Sequence, residues 1–206
     1  MELSDLKGVR LVLRTIDHET MEVVDALPAI NTQGKSFTLW NQRDPRWASV
    51  KLGNSPTVTI GTDGCVVCSI AGMLNITPIE ANYKLNAAGA FPSGSAMLSV
   101  ANAPYEKAFG GRLKHTYQSP MFWRDVPAAE MQKLKDHTRK GQPAMVLVDS
   151  GRQDGLQTHY MLCDDFTALE PMVNDSWFNE SAPVGKRYSK AVGNSPIYRF
   201  DLFEVV

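Results

Sequence analysis

Residues 59–74, Thr-Ile-Gly-Thr-Asp-Gly-Cys-Val-Val-Cys-Ser-Ile-Ala-Gly-Met-Leu, constrain this chain more than any other stretch. Gly61 and Gly64 permit a tight, irregular turn, and Asp63 is placed to cap a helix. From Cys65 onward the residues are apolar or small on nearly every side, the pattern of a helix enclosed by the rest of its domain. Cys65 falls in the first turn of that helix, where unpaired N–H groups and the positive end of the helix dipole favour thiolate over thiol and lower a free pKa of about 8.5. A cysteine in an apolar run is ordinarily core, and Cys68, among Val67, Ser69 and Ile70, fits that description. The preceding Gly-Thr-Asp-Gly turn sets Cys65 apart as a candidate nucleophile.

A buried helix needs a core around it, and 206 residues suffice for one domain with a small appendage. The formal net charge is −1 with no long basic or acidic run, so nucleic-acid binding and anionic-membrane binding have no electrostatic support. No apolar stretch approaches a membrane span, and Met-Glu-Leu-Ser-Asp-Leu-Lys-Gly lacks the apolar core of a secretion signal, which points to a soluble protein. Three cysteines, at 65, 68 and 163, form no disulfide framework and suit a reducing compartment or functional thiols. Cys65 and Cys68 have CxxC spacing, yet a zinc site would draw on Cys163 and scattered histidines for its remaining ligands. Asp149, Asp154, Asp164 and Asp165 are oxygen donors of the kind a hard cation takes, although acidic loops are ordinarily solvated turns. No cofactor is expected.

Along the chain, residues 9–16 alternate as a strand, 17–20 supply a polar turn and 21–24 return, a hairpin succeeded by a linker over 25–36. Residues 1–36 are thus expected to be an appendage that docks on a partner or on the main domain of 37–206, or to extend that domain's sheet. Residues 39–53 read as an extended entry segment with a turn at Asp44-Pro45. After the cysteine helix, which ends near Asn75, Thr77-Pro78-Ile79-Glu80 combines an N-cap, a proline at the first helical position and a capping-box glutamate, and Gly89 closes that helix. Residues 90–124 are loop-rich, with one short helix near 97–102. Phe91, Tyr105, Phe109, Tyr117, Phe122 and Trp123 within it either line a substrate groove or pack a core. Asp125-Val126-Pro127 opens a third helix that runs to Arg139. Strand signals come next at 144–149, 159–163, 172–175 and 197–206, with a turn at Asp164-Asp165. Helices first and strands later make an α+β fold with a largely antiparallel sheet against the cysteine helix.

A cysteine nucleophile needs a base for its proton, a group that orients the base and donors for an oxyanion. His159 opens an apolar strand directly after a polar loop, where one end of its side chain meets a cleft. Asp175 ends the next short strand, within reach of a histidine on an adjacent antiparallel strand, where a carboxylate fixes the imidazole tautomer. Gln42, between Asn41 and Arg43, carries an amide that can stabilise an oxyanion beside the Cys65 N–H. Each residue alone has an ordinary structural explanation; together they make a Cys-His-Asp constellation with an amide donor.

These residues also carry a resemblance. Asn41-Gln42-Arg43-Asp44-Pro45-Arg46-Trp47-Ala48, Leu52-Gly53, Thr59-Ile60-Gly61, Asp63-Gly64-Cys65 and Ser69-Ile70-Ala71-Gly72-Met73-Leu74 resemble the N-terminal signature of the C39-like cysteine peptidases, a branch of the papain-like fold. His159-Tyr160-Met161-Leu162 and Asn174-Asp175-Ser176-Trp177 are similar to that family's histidine strand and Asn-Asp-Pro-Trp segment. The resemblance covers roughly residues 38–206. It implies Cys65 as nucleophile, His159 as general base, Asp175 as orienting acid and Gln42 as oxyanion donor. Ser176 stands where the family often has proline, Cys68 where threonine or another small residue is usual, and Tyr160 where tryptophan or phenylalanine is common. Free-standing members occur in bacteria and bacteriophages, which implies a cytoplasmic or virion-associated peptidase acting on peptidoglycan peptides or protein precursors. Two rivals stand beside that expectation: a papain-fold binding or structural module of a phage particle or secretion assembly, and an amidase or transamidase using the same residues.

Overall fold

The computed structural model describes residues 36–206 apart from 96, 98, 152–154, 168, 169, 191 and 194, together with the backbone of 10–16 and 20–27. Strands β1 (Arg10–Ile16) and β2 (Thr20–Leu27) pair antiparallel as a two-stranded sheet, with a register shift between Val12 and Leu13. The expected hairpin is therefore present, but β2 runs three residues further than the alternation suggests, because Asp25, Ala26 and Leu27 continue the ladder against Val12, Leu11 and Arg10. Most of the expected linker, 28–35, lies outside the described residues.

The main body combines helices with a six-stranded antiparallel sheet, an α+β arrangement. A single helical turn α1 (Ile60–Asp63) leads into α2 (Cys65–Leu74), then α3 (Pro78–Ala88) and the short α4 (Tyr105–Phe109). Strand β3 (Leu113–Gln118) precedes α5 (Ala128–Arg139), and β4 (Ala144–Asp149), β5 (Thr158–Phe166), β6 (Pro171–Asp175), β7 (Glu180–Pro183) and β8 (Arg199–Val205) complete the sheet in the order β3-β8-β4-β5-β6-β7. Every neighbouring pair is antiparallel.

The sheet is covered on both faces, and the burial of successive residues shows it. Met145, Leu147, Tyr160, Leu162 and Phe203 pack into one core with α2, α3 and α4, while Val146, Val148, Met161, Cys163, Phe200 and Leu202 pack into a second with Leu134 of α5. Successive side chains of a strand point to opposite faces, so a strand covered on both reads as a continuous apolar run; Ala144–Val148 is one. At the α2–β5 contact, the Gly72 position brings the helix against the incoming chain: a Cβ there would lie 2.4 Å from the Thr38 carbonyl oxygen and 3.0 Å from Leu162 Cδ2. Thr38 N–H also donates to Gly72 O at 3.1 Å. A Gly72→Ala protein is expected to lose about 1–3 kcal/mol of stability, the usual range for overpacking, read as a lower urea midpoint at unchanged slope.

Several expectations about local structure need correction. Asp63 does not cap the cysteine helix: it is the last residue of α1, because the Thr62 hydroxyl accepts the Thr59 N–H at 3.0 Å and closes a helical turn ahead of it. The residue preceding α2 is Gly64, where a Cβ would sit 2.5 Å from Ile60 O. Asp164-Asp165 is not a turn but a bulge inside β5, whose pairing with β6 shifts register between Cys163 and Asp165. The loop-rich 90–124 holds α4, β3 and a 3₁₀ turn at Val100–Asn102 in place of one helix from 97. Its aromatic residues are mostly packing: Phe91, Tyr105, Phe109 and Phe122 are buried, Tyr117 packs against the second core and Trp123 is exposed. Helix α3 matches its signals, with the Thr77 hydroxyl accepting the Glu80 N–H at 3.2 Å and Gly89 at φ 92°. Among the described residues no single helix is long and apolar enough to cross a membrane.

Candidate active site

Four separate elements bring the four expected residues together. The segment after Trp40 folds into consecutive turns because the Asp44 carbonyl accepts from Trp47 and Ala48 N–H and the Asp44 carboxylate caps Arg46 N–H at 2.9 Å. Trp47 anchors those turns by burying its ring against Trp40, centroids 5.4 Å apart, and donating its indole N–H to Asn41 O at 2.8 Å. Gln42 is thereby held against the start of the cysteine helix. Strand β5 carries His159 and β6 carries Asp175, and the antiparallel pairing puts both on the α5 side of the sheet at its end. Gln42, Cys65 and His159 line a cleft of about 480 Å³, together with Thr62, Asp63, Val66, Ser150, Leu156, Gln157, Thr158, Tyr160 and Trp177. Cys65 is half-buried; Gln42, His159 and Asp175 are buried.

The His159 ring joins the other two groups. Its Nε2 meets Asp175 Oδ1 at 3.1 Å, which leaves Nδ1 as the nitrogen for the Cys65 sulfur, with which the ring is hydrogen-bonded. Burial works against both charges here, raising the Cys65 thiol and lowering the His159 imidazole, but the hydrogen bonds and mutual attraction win. The Cys65 pKa falls below that of a free thiol, helped by hydrogen bonds from the Tyr160 and Val66 backbone amides, and His159 rises to about 9. Burial likewise opposes the Asp175 carboxylate, and hydrogen bonds from His159, Tyr188 and the Trp177 N–H outweigh it, holding Asp175 below the ordinary carboxylate range. These shifts all run in the direction that favours a thiolate–imidazolium pair backed by a carboxylate.

Gln42 is held at both ends of its side chain. Its Oε1 accepts the Ser176 hydroxyl at 3.2 Å, while its Nε2 points towards Gly61 O at 3.4 Å, and its backbone N–H donates to Ser176 O at 2.8 Å. An amide whose oxygen is occupied by a hydroxyl donor keeps its N–H₂ turned the other way, towards the helix start where the Cys65 N–H lies ahead of the helical ladder. Arg43 ties the same segment to the loop beyond Asp175, donating to Trp177 O at 2.9 Å with its guanidinium 4.7 Å from the Trp177 ring centroid.

No family model, curated protein or solved structure matches the chain. The chemistry of the site therefore rests on its geometry. The other two cysteines do not converge with Cys65: Cys68 packs in the α2 core and Cys163 in the core on the far side of the sheet, and burial pushes both thiols up. Among the described residues no group of three or more His, Cys, Asp or Glu side chains is arranged to hold a metal ion. Asp149 caps the Gly151 and Gln157 N–H groups, Asp165 caps Phe166 N–H, and Asp164, raised by burial to about 6, accepts from the Asn174 amide; Asp154 lies outside the described residues. Phe91, Tyr105, Phe109, Tyr117, Phe122 and Trp123 do not line the cleft. Ser176 and Tyr188 are the contributors that sequence reasoning misses. Ser176 stands out only as a departure from a family pattern, and Tyr188 lies 13 residues from its partner Asp175 with no motif around it.

Proposed function

We propose that the protein is a cysteine peptidase of the C39-like kind, with a papain-like arrangement of its catalytic groups, that hydrolyses peptide bonds through Cys65, His159, Asp175 and Gln42. The observation that carries this reading is the hydrogen-bonded relay from Cys65 through His159 to Asp175, in which the thiol is lowered and the imidazole raised. A cysteine at the start of a buried helix, packed on an antiparallel sheet whose strands supply histidine and aspartate, supports the papain-like assignment.

In the first half-reaction the Cys65 sulfur attacks the peptide carbonyl carbon, and the carbonyl oxygen becomes an oxyanion facing the Gln42 amide and the Cys65 N–H. The intermediate collapses by breaking the C–N bond, and the imidazolium gives its Nδ1 proton to the departing amine. A thioester on Cys65 remains. In the second half water attacks that thioester, His159 takes the water proton, and the carboxylic acid leaves as the C–S bond breaks, restoring thiolate and imidazolium. Asp175 keeps Nε2–H engaged throughout, so only Nδ1 exchanges protons with the reacting groups. Turnover should rise with pH as Cys65 ionises, below the usual thiol range, and fall again through about pH 9 as His159 loses the proton the leaving amine needs.

Brief treatment of the native protein with dilute iodoacetamide at pH 6, then intact mass and peptide mapping, tests the reading. One adduct on Cys65, with none on Cys68 or Cys163, is the expected result. Labelling of Cys65 only at alkaline pH, as for an ordinary thiol, would remove the thiolate–imidazolium pair and the peptidase reading with it. Peptide and peptidoglycan libraries are the substrates to screen once the thiolate is established.

A further inference from the structure

Asp175 has two carboxylate oxygens, and the structure divides them. Oδ1 accepts from His159 Nε2 at 3.1 Å, from Trp177 N–H at 2.9 Å and from Phe178 N–H at 3.4 Å. Oδ2 accepts from the Tyr188 phenol at 2.5 Å. The Tyr188 ring also lies beside the imidazole it serves, centroids 5.9 Å apart and planes inclined by 36°. Tyr188 reaches this position because β7 and the 3₁₀ turn Val184–Lys186 carry the chain back past the end of β6. A carboxylate turning about its terminal bond would carry Oδ1 away from Nε2. A phenol bonded to Oδ2, with two amides on Oδ1, prevents that rotation.

We propose that Tyr188 is a further member of the site, a positioning residue that holds Oδ1 of the Asp175 carboxylate on His159 Nε2. The proposal rests on the peptidase reading only in taking Cys65 and His159 as the reacting pair. Other charged groups nearby are already engaged. Glu180, opposite Asp175 across the β6–β7 ladder, is paired with Lys186 and Arg187, and Arg187 also stacks over Phe178 with its guanidinium 4.2 Å from the ring centroid. Asp164, on the preceding strand, is bonded to the Asn174 amide, whose side chain leaves the sheet on the face opposite to Asp175. The groups that bear on Asp175 directly are thus His159, Tyr188 and two backbone amides.

Removing the phenolic O–H frees the Asp175 carboxylate to turn Oδ1 away from His159 Nε2, and a carboxylate turned away gives less support to the imidazolium that keeps Cys65 ionised. In Tyr188→Phe the ring stays beside His159, and the rate of Cys65 alkylation by iodoacetamide at pH 6 is expected to fall about tenfold, the size of one hydrogen bond to a charged group. At pH 10, where the thiol is ionised in either protein, the two rates should agree within about twofold. In an Asp175→Asn background the same change should have no further effect at pH 6, since the charge it acts through is gone. Equal rates at pH 6, equal losses at pH 6 and pH 10, or a further tenfold loss in the Asp175→Asn background would each overturn the role of Tyr188. A native protein that alkylates slowly at pH 6 would overturn the peptidase reading and the proposal together, whereas a fast native protein with an equally fast Tyr188→Phe overturns Tyr188 alone.

Discussion

In a His159→Ala protein, alkylation of Cys65 at pH 6 is expected to fall by about 10²-fold or more while recovering at pH 10, because the remaining thiol ionises at or above the ordinary cysteine range. The reason lies in the balance of forces on the sulfur. Burial is the largest influence on Cys65 and it opposes ionisation; His159 is what reverses it. The molecule contains its own control in Cys68, one turn along the same helix, where burial acts without an imidazole partner and the pKa moves far up. Deleting the imidazole should move the Cys65 thiol in the same direction, though less far, because Cys65 is half-buried and Cys68 is buried. The check is a pH–rate profile of iodoacetamide incorporation by intact mass for both proteins, and a His159→Ala profile overlying the native one would show that the helix start alone ionises the thiol.

The second large effect concerns Gln42. In Gln42→Ala, acylation of Cys65 by p-nitrophenyl acetate should fall by about 10² to 10³, the cost of one oxyanion donor, while alkylation by iodoacetamide at pH 6 stays within about twofold. The two reagents separate roles that a single assay would merge. Acylation passes through a tetrahedral oxyanion that needs a donor; alkylation displaces iodide at a saturated carbon and forms none. The groups that set the ionisation of Cys65 and His159 are each other, Asp175 and the Tyr160 and Val66 amides, so the thiolate should survive the loss of Gln42. The Gln42 amide is oriented by the Ser176 hydroxyl at 3.2 Å, at the position where the resembled family often carries a proline that has no such donor. Equal losses with both reagents would mean that the variant disturbs the helix start itself, and the oxyanion assignment would fall.

Much of this is legible in the chain because the deciding signals are local. The Thr77-Pro78 start and Gly89 stop of α3 depend on backbone chemistry within a few residues, as do the start of α5 after Pro127 and the apolar run of β4. The candidate site is legible for a related reason: each member stands at an element boundary marked by a change in residue type, Cys65 after a glycine turn, His159 after a polar loop and Asp175 ahead of Ser176-Trp177. The points where sequence and structure part share a cause as well. Asp164-Asp165 looks like a turn and is a bulge, since the pairing of Asp165 and Phe166 with Met172 and Pro171 of β6 outweighs the local preference of two aspartates. Strands β3 and β7 leave no clear local signal because their hydrogen bonds go to β8 and β6, partners whose positions no local pattern reveals.

Residue type and immediate neighbours establish which groups are able to do the chemistry: a thiol after a glycine turn, an imidazole at a strand start and a carboxylate at a strand end. Folding alone settles which ring nitrogen faces the sulfur, that the Gln42 amide is turned by Ser176, and that Tyr188 closes the site behind Asp175. Those are contacts across 16, 134 and 13 residues of chain, and a hydrogen bond depends on distance in space, which spacing along the chain does not encode.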